Sequence, residues 1–219
     1  MCAQIHQKWN LYICDDGSTD NTTETVEEFR EDSRIYYLKL PHKGVSHARN
    51  SGLKHVSSQY VSFLDSDNQW SPEYLSLMIA FMKGFNLDCA YCAARLVGDT
   101  DQQWLGDSFS WEACVKQNYI DLNCFTSKIQ KEALMFDETL KRFVDWDYIL
   151  SATKDSRVAY LPSPLVEYCN KQSLKRITTS IHQGSRHVPY LESIRRKHQQ
   201  QKRVIDNVDS RAKIEECES

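Results

Sequence analysis

Three times in its first 70 residues the chain sets a short apolar run against an acidic or turn-forming loop, and this alternation limits the fold more than any other feature. Residues 10–14 (NLYIC) stop at Asp15-Asp16-Gly17-Ser18, after which Asn21 and Glu24 resemble a helix start for TTETVEEFRED. RIYYLKL at 34–40 stops at a break from Pro41 to Gly44 before a helical VSHARNSGLKHV, and YVSFL at 60–64 stops at DSDNQW. Ser71 and Pro72 then offer an N-cap and a first helical residue for PEYLSLMIAFMK, and a further strand is expected over 87–97. Strands alternating with helices predict an α/β fold, a mostly parallel twisted sheet with helices on both faces.

Beyond Gly98 the alternation loosens. Trp104 and Trp111 precede a helix-like KIQKEALMF, and a second helix is expected from Trp146 to Lys154. The chain therefore divides into residues 1–98, 99–180 of the same domain, and a polar, helical tail at 181–219. Arg195, Arg196, Lys197, Lys202 and Arg203 cluster in that tail among acidic residues. A solvated helix accounts for the cluster, and contact with an anionic membrane surface is the sharper alternative.

Lysine plus arginine total 27 against 30 aspartates plus glutamates, a net charge of −3, so the cationic field of a general nucleic-acid binder is absent. An anionic ligand must be gripped locally. No apolar run approaches the roughly 20 residues that span a bilayer, and MCAQIHQKWN lacks a signal-peptide core, which leads to the expectation of a cytoplasmic protein. Of eight cysteines, Cys14, Cys89, Cys92 and Cys124 sit in apolar strand-like runs, where reduced cysteine packs as a small hydrophobe. Cys89 and Cys92 have the spacing of a zinc or redox pair, but in a strand residues three apart point to opposite faces and cannot share a metal.

Three constellations carry chemistry. Asp15 and Asp16 stand at the carboxyl end of a strand, where open α/β sheets bind ligands, and a carboxylate there can accept from a base N–H or a ribose hydroxyl; ordinary turn chemistry is the alternative. Asp65-Ser66-Asp67 again follows a strand directly, and two acids separated by one residue can present oxygens to a hard cation and to a ribose, or form an Asx turn. Asp145, in Val144-Asp145-Trp146-Asp147, opens a helix, where it serves as a cap or as a base for a sugar hydroxyl. Asp147 is the fallback for that role.

In this order the pieces resemble the family 2 glycosyltransferases, whose nucleotide-binding domain has the GT-A fold. The resemblance runs over roughly residues 4–180, through WNLYICDDGSTDNT, KGVSHARNSGL, YVSFLDSDNQWSPEYL, FDETLKRFVDWDYIL and SPLVEYCNKQSLKRITTS. It implies that residues 1–98 bind a nucleotide sugar and 99–180 face the acceptor. By position, Asp16 matches the acid that reads uracil, with Asp15 beside it, Asp65 and Asp67 match the acidic metal motif, and Arg49 matches a nucleotide contact that is also an ordinary surface arginine. Asp145 matches the catalytic base. The implied reaction moves a sugar from a UDP-sugar to a glycan or lipid-linked hydroxyl with inversion, assisted by Mn or Mg.

Two departures accompany the resemblance. The family's glutamate before the base is Val144 here. The chain also begins where the family finishes its first helix, so the first strand is expected to be missing, with an open edge in mid-sheet that another segment or a second chain covers, or a rearranged sheet. Both departures favour the rival reading of a non-catalytic nucleotide-binding module. A nucleotidyltransferase, the other rival, normally carries a glycine-rich phosphate loop near its start, and none is visible.

Overall fold

A strand of small and apolar residues, β5 (Cys89–Val97), organises the sheet because it can be covered on both sides. The computed structural model describes residues 1–97, 104–129, 133–169 and 188–199. Cys89 and Tyr91 join one buried cluster with Trp111, Trp146 and Ile149, whereas Ala90, Cys92 and Ala94 join another with Tyr74, Met78 and Met82. Cys89 and Cys92 thus lie on opposite faces, as the strand reading requires.

On one side β5 runs parallel to β8 (Val158–Cys169), with an irregular register between Cys92 and Ala94. On the other it runs antiparallel to β7 (Phe125–Lys128), which pairs in turn with β3 (Tyr60–Ser62). β4 (Asn68–Trp70) closes the far edge on β8, and β6 (Trp104–Leu105) adds to the end of β5, giving the order β3-β7-β5-β8-β4. Strands from either side of residue 98 are therefore interleaved. α3 (Tyr74–Gly84) covers one face, while α4 (Trp111–Lys116), α5 (Val144–Thr153) and α6 (Val188–Gln199) cover the other.

The first strand, β1 (Leu11–Asp15), is not part of that sheet. It pairs in parallel with β2 (Ile35–Lys39) to make a separate two-stranded piece, with α1 (Thr22–Glu27) and α2 (Val45–Leu53) following its two strands. Among the described residues β1 has β2 as its one strand partner and β3 has β7, so the sheet is broken where an open edge was expected. α2 crosses the break. Its Gly52 lies so close to β1 that an added Cβ would stand 2.6 Å from the Cys14 sulfur, and its Asn50 reaches Phe136 in the other half.

Some local expectations are corrected. α3 begins at Tyr74 after Glu73, not at Pro72 after Ser71, because Leu75 N, which would close the first turn on Ser71 O, donates to the Gln4 side-chain oxygen at 3.0 Å. KIQKEALMF does not form the expected helix over its described residues: Lys128 ends β7 and residues 133–136 are irregular. At the end of this stretch the Asn50 amide accepts from Phe136 N at 2.8 Å and donates to Phe136 O at 2.9 Å, taking the N–H that a helix would use. α5 starts two residues before Trp146, after Phe143 in the left-handed region at φ 59°.

The tail helix α6 is not solvated all round. Ile194 and His198 are buried, His198 Nε2 meets Asp147 at 2.8 Å, and Lys197 bridges Asp147 and Asp137. Lys202 and Arg203 lie outside the described residues. Among those described, no helix is long and apolar enough to cross a membrane.

Candidate active site

The loops after β1 and β3, the middle of α2 and the first turn of α5 carry every acidic residue singled out in the sequence, with Arg49. Arg49 is the meeting point. Its side chain is 13% exposed, and one guanidinium nitrogen donates to Asp65 at 2.9 Å while another donates to Asp145. Two carboxylates 80 positions apart in sequence thus converge on one cation, with the guanidinium 5.2 Å from the centre of the Phe136 ring. Burial opposes the charge on Arg49, but Asp145 and Asp65 together raise its pKa.

Asp145 is half-buried in the first turn of α5, where the helix N-terminus favours a negative charge. Burial nevertheless pushes its carboxyl above the usual range, with Arg49 opposing and the neighbouring Asp65 adding to the rise. A carboxylate of raised basicity is better suited to accept a proton. Asp147 sits on the same turn but is turned to α6, held below the usual carboxylate range because hydrogen bonds from His198 and Lys197 outweigh burial.

Asp67 is exposed within the turn that Asn68 N closes on Asp65 O at 3.1 Å. Both Asp65 oxygens already accept, Oδ1 from Arg49 and Oδ2 from Asn123 at 3.1 Å. Among the described residues no three acids, histidines or cysteines gather as a ready metal cage. The donor type still suits a hard cation, which can take carboxylate oxygens from Asp65 and Asp67 and the rest of its shell from a diphosphate.

Asp15 and Asp16 are separately engaged. Asp15 is buried and accepts from Ser18 and from the Tyr37 hydroxyl, which hold its carboxyl down at about 2. Asp16 accepts from Lys43 N at 2.8 Å and Gly44 N at 3.0 Å, just ahead of α2, with His42 Nδ1 at 2.9 Å. Asp16 is thereby fixed at one end of the helix that carries Arg49.

Two residues that the sequence reading passed over complete the cluster. Asn123 is 3% exposed and meets Asp65 through both ends of its amide, and Asp121 accepts from Asn123 N and Nδ2, each at 2.8 Å. Burial raises the Asp121 pKa, with the Asn123 hydrogen bonds opposing and Asp65 and Asp145 adding. In NYIDLNCF the spacing signals no more than a turn before a strand, so nothing local marks these residues.

The sequence profile of glycosyl transferase family 2 matches residues 1–145. Among curated relatives, the Escherichia coli UDP-Glc:alpha-D-GlcNAc-diphosphoundecaprenol beta-1,3-glucosyltransferase WfgD is 42% identical over 186 residues, covering 81% of this chain and 70% of its own length. The putative teichuronic acid biosynthesis glycosyltransferase TuaG of Bacillus subtilis is 29% identical over 143 residues, 64% of this chain and 49% of its own. In structure, S. aureus TarS 1–349 in complex with UDP-GlcNAc superposes with a TM-score of 0.70 at 18% identity, over 88% of this chain and 58% of that one. TarS carries the GT-A arrangement, and the fold is of that type. The chain belongs to the family 2 glycosyl transferases.

Proposed function

We propose that this chain transfers a sugar from a UDP-sugar to a hydroxyl of a glycan or lipid-linked acceptor by a single inverting displacement. The observation that carries the reading is the convergence of Asp65 and Asp145 on Arg49, which gathers a nucleotide-side acid, a candidate base and a cation at one place. WfgD, whose name specifies UDP-Glc and a diphosphoundecaprenol acceptor, supports UDP-glucose as the first donor to test and a lipid-linked acceptor as the first class.

The chain's own residues then divide the work. Asp15 and Asp16, with Arg49, bind the nucleotide half of the donor, and α2 keeps them in register. Asp145 takes the proton from the acceptor hydroxyl as its oxygen bonds to the anomeric carbon; the bond from that carbon to the diphosphate breaks, and UDP departs. Arg49 is released from Asp145 when the donor arrives and turns to the diphosphate, leaving the base free. Mn or Mg held by Asp67 and Asp65 would neutralise diphosphate charge.

The test is calorimetry with UDP, with and without manganese, followed by UDP release on a panel of donor sugars. Asp67→Ala is expected to abolish the metal-dependent part of UDP affinity and Ser66→Ala to leave it nearly intact, because the intervening serine need not coordinate. Asp145→Asn is expected to keep UDP binding and lose transfer by about 100-fold or more, since an amide cannot accept the proton. Wild-type turnover by Asp145→Asn would leave that residue a structural partner of Arg49 and no more. Metal-dependent binding by the wild-type chain without turnover on any donor would favour the module reading, in which Val144 in place of an acid leaves the base without a neighbour to tune it.

A further inference from the structure

Asn123 stands between Asp65 and Asp121 in an arrangement that only a side-chain amide can complete. Its Oδ1 accepts from Asp65 N at 2.6 Å, while its Nδ2 donates to Asp65 Oδ2 at 3.1 Å and to Asp121 Oδ1 at 2.8 Å. The orientation is dictated by chemistry: an ionised Asp121 carboxylate can only accept, so the amide nitrogen must face it and the amide oxygen is left for the Asp65 N–H. The backbone of Asn123 is fixed too. Asp121 caps the short helical turn Leu122–Cys124 through Asn123 N, and the Trp70 indole donates to Asn123 O at 2.8 Å.

The arrangement addresses a specific difficulty. Asp65 and Asp145 share the guanidinium of Arg49, Asp121 adds a third carboxylate close enough to act on both, and Asp65 follows a strand that ends at Ser62, so its own element does not hold it. Asn123 binds the Asp65 main chain and side chain at once, from a different part of the chain, and separates its charge from that of Asp121. With Oδ2 held by Asn123, the Asp65 Oδ1 is presented in one orientation to Arg49 and to whatever ligand replaces it.

We infer that Asn123, oriented by Asp121, is the positioning residue that sets the pose of Asp65 for nucleotide-sugar binding. The inference rests on the function proposed above. Asp121 acts here as an acceptor and not as a base: what it supplies is an oxygen for the Asn123 amide.

The test uses the whole chain with UDP and manganese, and amide hydrogen exchange at residues 64–68 as a readout that needs no ligand. Asn123→Asp, which sets a carboxylate against Asp65 and Asp121, and Asp121→Ala, which leaves the amide unoriented, are each expected to lower UDP affinity about tenfold or more. Both are expected to speed exchange of the Asp65 N–H. Asp121→Asn keeps an accepting oxygen and is expected to recover most of what Asp121→Ala loses, in affinity and in protection. Should Asn123→Asp fail to fold, the Asp121 pair still decides the matter. Loss of affinity in Asp121→Asn as deep as in Asp121→Ala would overturn the inference in favour of a role for the Asp121 charge. Unchanged Asp65 exchange in both Asn123→Asp and Asp121→Ala would also overturn it. Failure of the wild-type chain to bind UDP would sink the proposed function and the ligand part of this inference, while the exchange result would still show whether Asn123 holds Asp65.

Discussion

Asn50 shows how much one side chain can decide. On α2 it is 3% exposed and makes three hydrogen bonds, two with the Phe136 backbone and one with Glu138. Those bonds tie the Phe136 backbone to α2 and carry Phe136 into the core beside Phe63 and Tyr148. Asn50→Ala is expected to cost about 2–4 kcal/mol, because it strands a buried N–H and a buried carbonyl as well as removing bonds. A chemical-denaturation midpoint within error of wild type would refute this. The residue-scale lesson concerns legibility. Asp65, Asp67 and Asp145 could be singled out as candidates because each follows a strand or opens a helix and fits a stretch of recognisable order. Asn50, Asp121 and Asn123 could not, since an asparagine's partner 86 or 58 positions away leaves no periodic trace.

At the scale of elements, apolar period located β1, β2, β5, α2 and α3 to within a few residues, and at the start of α3 and at Phe136 a tertiary hydrogen bond took over a backbone group that the expected helix would use. α6 is the clearest case of tertiary override: a polar tail helix is docked through two apolar-facing positions and one ionic clasp. Asp147 is 3% exposed, with His198 Nε2 and Lys197 Nζ at 2.8 and 2.9 Å. Because the folded-state pKa of Asp147 lies below its ordinary value of about 3.9, its contribution is complete above that value and is lost as pH falls through the lowered one. The Asp147 contribution to docking of α6 should therefore weaken in acid. Asp147→Asn is expected to lower stability by about 1–3 kcal/mol at neutral pH and to flatten the acid limb of the stability profile; the figure is kept modest because Lys197 is 43% exposed. Thermal melts of both proteins across pH 3–7 would measure it, and parallel profiles would count against the clasp. The basic residues of α6 leave a membrane-surface role as a proposal, to be tested by co-sedimentation with anionic vesicles; no sedimentation at low salt would end it.

Across the whole molecule, the break between β1 and β3 is the feature with the widest reach. Isolated two-stranded sheets are marginal in water, whereas the larger sheet is buried on both faces. Opening should then proceed in two steps, the β1–β2 piece with α1 first and the β5–β8 centre last, and native-state hydrogen exchange would show the amides of residues 11–15 and 35–39 exchanging well before those of 89–94. Uniform protection across both pieces would contradict it. Self-association through the open edge would raise protection of the first piece with concentration, which size-exclusion chromatography can follow in parallel. The loop with Asp15 and Asp16 belongs to the weaker piece, so a ligand gripping that loop binds only the closed form. At 100 times its dissociation constant such a ligand adds about 2.7 kcal/mol to closure. The donor nucleotide would then act as a lateral support for that piece, and the chain would be at its most resistant to proteolysis when loaded and most vulnerable between turnovers.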